Sequence, residues 1–62
     1  MSLKTGPNLV ENDDFYAALL AVHKGLDQGA SAALNARLIL ILANHIGELD
    51  TLTEALNLAA ET

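Results

Sequence analysis

Two histidines and eight carboxylates are the side chains of this sequence best suited to chemistry, and their spacing decides what they can reach. His45 and Glu48 are three residues apart, a spacing that places two metal ligands on one helix face. Gly47 stands between them, however, and reads as the residue that ends the helix. His23 belongs to a different segment, and no HxxxH or HxxxE pattern falls within one helical stretch. No metal site is expected, and both histidines read as partly buried rings satisfied by neighbours. Asp13 and Asp14 are adjacent, so on a helix they point about 100° apart. They read as capping and dipole charges, not as an acid/base pair. Lys24, Asp27 and Glu54 read as solvated surface charges. With no glycine-rich phosphate loop and no Ser-His-Asp spacing, neither a catalytic residue nor a cofactor site is expected, and the chain does not read as an enzyme.

A different chemistry, recognition, is suggested by Arg37 and Asn44. Seven residues apart, they lie on one side of a helix that is otherwise apolar. An arginine in that setting covers apolar area with its stem and gives its guanidinium to a carboxylate or to helix carbonyls. The partner is expected within the domain or across a dimer; the other reading is an anchor for an anionic ligand or a partner's acidic group. Asn35 and His45 read as interhelix hydrogen bonders that fix register, because a buried polar group must be paired. Leu38, Ile41 and Leu42 complete the candidate interface on this helix. Tyr16, the sole Tyr, joins them from the preceding segment, and Phe15, the sole Phe, reads as a packing residue.

These side chains need helices to position them. Leu34 to Gly47, LNARLILILANHIG, is the longest apolar segment. Its LILIL core alone could be strand or buried helix, but the flanks are mostly helix formers with little β-branching. The helix should run over about 28–46, roughly 28 Å long. Ala32, Ala36, Ile39, Ala43 and Ile46 form one stripe, while Leu34, Leu38, Ile41, Leu42 and His45 form a second. A helix with two apolar stripes is expected to be buried from two sides. A first helix over about 13–24 starts at Asn12-Asp13-Asp14 and presents Phe15, Leu19, Val22 and Leu26 to the core. Gly25 then suits the left-handed position, and either Asp27 or Ser31 caps the next helix. A third, over about 50–60 with Asp50 as its cap, buries Leu49, Leu52, Ala55, Leu56 and Ala59. The expected fold is all-α, three helices in antiparallel succession. Residues 1–10, with Gly6 and Pro7, read as an irregular arm ahead of a single helical domain over 11–62.

Size and composition point towards a partner. For 62 residues and 6.5 kDa, surface scaling gives about 5,600 Å² buried on folding, roughly 60% of the unfolded surface. Domains this small usually add disulfides, metal or another subunit. There is no cysteine, and 52% of residues are hydrophobic, so self-association as a homodimer or higher oligomer is the expected remedy. The net charge of −5 and the scattering of Lys4, Lys24 and Arg37 argue against nucleic acid. A membrane span is not expected either. It takes about 20 apolar residues, and the uninterrupted run is only Leu38 to Ala43, flanked by Asn35, Arg37, Asn44 and His45. No signal-peptide pattern is evident at the start, so a cytoplasmic location is expected.

At FYAALL…GL…SAALNARLILILANHIG the sequence resembles a set of short bacterial proteins classified only as a domain of unknown function. The resemblance covers roughly Asn8 to Ala59 and is most specific over Leu34–Leu38 and Leu42–Gly47. It carries no functional residue onto this chain. Genes of this kind lie near those of flavin-dependent oxygenases in some bacteria, which implies an accessory subunit docking on a larger enzyme. The primary expectation remains a self-associating interaction module, with the second helix at its interface.

Overall fold

The computed structural model describes residues 3–61, and within them the chain forms three helices and no strand: α1 (Asn12–His23), α2 (Gln28–Ile46) and α3 (Leu49–Glu61). The all-α, three-helix expectation holds, and α2 has the expected bounds. Residues 3–9 carry no helix, as expected of an arm; residues 1 and 2 of that arm, and residue 62 of the helical domain, lie outside the described residues.

Local chemistry accounts for most helix ends. The Asp27 carboxylate accepts from the Ala30 amide at 2.8 Å, and so supplies one of the partners that a helix start lacks. At the other end of α2, Gly47 takes the left-handed conformation (φ 70°) and donates its N–H to Ala43 at 2.9 Å. Gly25 has the same sign of φ, as expected after α1. Two starts differ from expectation. The first turn of α1 hangs on the Glu11 carbonyl, with no side-chain cap, and Asp13 and Asp14 serve the helix dipole from inside that turn. In α3 the Glu48 carbonyl accepts from Leu52 at 3.2 Å, so Glu48 occupies the capping position and Asp50 falls within the first turn.

Burial departs furthest from expectation. α2 contains no buried residue, and among the described residues no apolar side chain is buried at all. Of the stripe expected to form the core of α1, only Leu19 is half-covered, and Phe15, Val22 and Leu26 are exposed. On α2, Leu34 and Leu38 are half-covered while Leu40 and Ile41 stand 70% and 65% exposed. On α3, Leu52 and Ala55 are half-covered and Leu49 and Leu56 face water. The cause is geometric: no two helices share an extended packed seam. The radius of gyration is 13.2 Å, against about 10.6 Å for a compact domain of this length.

Gly47 and Gly29 give opposite expectations in denaturant or thermal unfolding. Gly47→Ala forces a side chain into the left-handed region and should lower stability by about 1 kcal/mol. Gly29→Ala lies inside the first turn of α2, where the added Cβ would meet only the Asp27 carboxylate at an ordinary 3.7 Å; it should raise stability by about 0.5–1 kcal/mol.

Candidate functional site

The polar side chains of α1 and α2 separate into two groups. His23 closes α1 and Ser31 sits in the first turns of α2; their Nδ1 and Oγ atoms are 3.1 Å apart in a half-covered position. This pair ties the two helices beside their connecting turn. Ser31 is free for it because Asp27 takes the capping role. Asn35, Asn44 and His45 behave otherwise. All three are exposed, and none makes a side-chain hydrogen bond among the described residues. The interhelix bonds expected of Asn35 and His45 are therefore not formed among the described residues of one chain.

One polar link ties α3 to the turn before it. The Thr51 hydroxyl donates to the Glu48 carboxylate across the α2–α3 connection. Thr51 is 4% exposed and is the only buried described residue. The sequence signal for it is a Glu three residues ahead of a Thr, just past the glycine that ends α2.

Arg37 lies elsewhere, at the middle of α2. It is exposed and has no ion pair among the described residues, so a pairing inside this chain is not what holds it. With Val22, Leu34, Leu38 and Ile41 it lines a shallow open groove of about 220 Å³ where the end of α1 approaches α2. The groove thus gathers three of the candidate interface residues, Arg37, Leu38 and Ile41, and adds Val22 and Leu34. Leu42, Asn35, Asn44, His45 and Tyr16 are not among its lining residues, and Tyr16 stands exposed on α1. Chemically, the walls are almost wholly apolar, Arg37 giving them its stem while its charged end stays outside the lining; that suits an apolar side chain carried next to a carboxylate. Among the described residues, no group of three His, Asp or Glu side chains comes together in a metal-binding arrangement.

Comparison with known proteins places the chain in a family. The chain belongs to the family described as protein of unknown function (DUF2783), which it matches over residues 3–61. Neither a curated protein nor a solved structure matches it.

The His23–Ser31 link can be tested directly. Ser31→Ala should lower unfolding free energy by about 0.5–1.5 kcal/mol, the net worth of one hydrogen bond, in urea titrations followed by circular dichroism. A change within error would mean that the His23–Ser31 pair contributes nothing to holding the turn.

Proposed function

We propose that this member of the family is a self-associating helical interaction module of the cytoplasm, without catalysis, and that α2 forms part of the interface. The observation that carries this reading is the absence of any buried apolar side chain among the described residues of a chain that is 52% hydrophobic. Its accessible surface is 5374 Å², roughly 1,500 Å² more than a compact monomer of this mass exposes. Residues 4–10 are exposed and hold part of that excess, with the rest on the helices. Covering it in two copies would remove about 3,000 Å² in total, within the range of obligate dimers.

A larger enzyme could be served by the same surface, including the flavin-dependent oxygenase that the resemblance implies. A membrane competes as well, since α2 has the length and composition of a span, at a mean hydropathy of 1.2. Arg37 argues against that use. It lies at the midpoint of a 19-residue helix, where a charge costs roughly 2.5–3.5 kcal/mol. A helix that barely matches the bilayer leaves little length for tilting the charge towards the surface.

Solution mass decides among these. Sedimentation of the wild type should give a dimer or higher species, and Ile41→Glu should yield monomer or unfolded chain. A well-folded wild-type monomer at micromolar concentration would overturn self-association and favour a larger partner. Uptake of that monomer by phosphatidylcholine vesicles would instead assign α2 to a membrane.

A further inference from the structure

The Arg37 groove is incomplete in one copy, and the charge pattern of the chain points to what completes it. α2 contains no carboxylate, and Arg37 is its only residue of fixed charge. Two copies of α2 laid against each other could therefore offer Arg37 no counter-ion. The carboxylates elsewhere are mostly committed. Asp13, Asp14 and Asp50 lie in first turns, where the helix dipole favours them. Asp27 caps α2 and Glu48 accepts from Thr51. Glu11 stands at the start of α1, beside the same dipole. Glu54 and Glu61 remain, both on α3, and both stand one turn from Leu58, which is 45% exposed. Glu61 ends its helix, where the dipole disfavours a negative charge. α3 thus carries an exposed leucine between two carboxylates, the chemical complement of an apolar groove with one exposed cation beside it.

We infer that the groove is the seat of α3 from a second copy, with Leu58 against Val22, Leu34, Leu38 and Ile41 and the Glu54 carboxylate accepting from the Arg37 guanidinium. This rests on the self-association reading. Exchange about a two-fold axis forms two such contacts per dimer, each copy giving one α3 and one groove. The excess surface of about 1,500 Å² per chain, part of it on residues 4–10, compares with the roughly 800 Å² per partner that a standard interface needs.

Charge reversal tests it, because Arg37 and Glu54 are exposed within one copy. In the Arg37→Glu homodimer each contact sets two carboxylates together, and in the Glu54→Arg homodimer two guanidiniums. Each single variant should weaken the dimer at least about tenfold, read by sedimentation. Mixing the two variants restores opposite charges at both contacts of the mixed dimer. Native mass spectrometry should then show one copy of each, with affinity back within about threefold of wild type. Recovery of helicity on mixing serves as the readout if a single variant unfolds alone. A wild-type dimer whose variants are unaffected, or do not rescue each other, overturns the seating of α3 and leaves self-association standing. A wild-type monomer overturns both.

Discussion

Apolar surface that three helices cannot hide from water governs the rest of this structure. α2 is apolar around most of its circumference, with Ile39, Leu40, Ile41 and Leu42 facing four successive directions. A helix of that character needs neighbours on several sides, and this chain has two short helices to offer. Ser31, Leu34, Leu38 and Ala43 are half-covered, and the remainder of α2 stays open. Scaling predicts about 5,600 Å² buried on folding, and the single chain buries nearer 4,000 Å². The shortfall is what makes the outer face of α2, and not a cleft or a titratable cluster, the feature of interest.

Arg37 restricts what can cover that face. A wholly apolar cover would leave a guanidinium without hydrogen-bond partners, which is far more costly than leaving it in water. A cover that brings a carboxylate to one point along 28–46 satisfies the charge in one register only. The low-information run LILIL would otherwise allow a partner to slide by a turn. In the proposed assembly the charge would therefore contribute more to uniqueness of docking than to its strength.

Helix ends were legible in the sequence because they depend on a few neighbouring residues. Asp27, Gly25 and Gly47 take the positions their chemistry suggests. The start of α3 differs from the sequence expectation because the Glu48 carbonyl, two residues ahead of Asp50, accepts the first helical bond. Burial was much less legible. Spacing shows that Phe15, Leu19, Val22 and Leu26 share a face, but not whether anything lies against it. The groove was half readable for the same reason. Arg37, Leu38 and Ile41 are fixed by the periodicity of α2, whereas Val22 enters through the angle between α1 and α2, which no local pattern encodes.

The thinness of the contact between helices also bears on how such a chain would survive among other proteins. A polypeptide that keeps little apolar surface to itself draws its folding free energy from whatever covers it; if copies cover one another as proposed, its folded fraction would depend on how many are made. Scarce chains would spend more time open to proteases, and abundant ones would protect each other. Turnover would then act as a threshold on expression level, with the leucines of α2 and α3 as the sensing element.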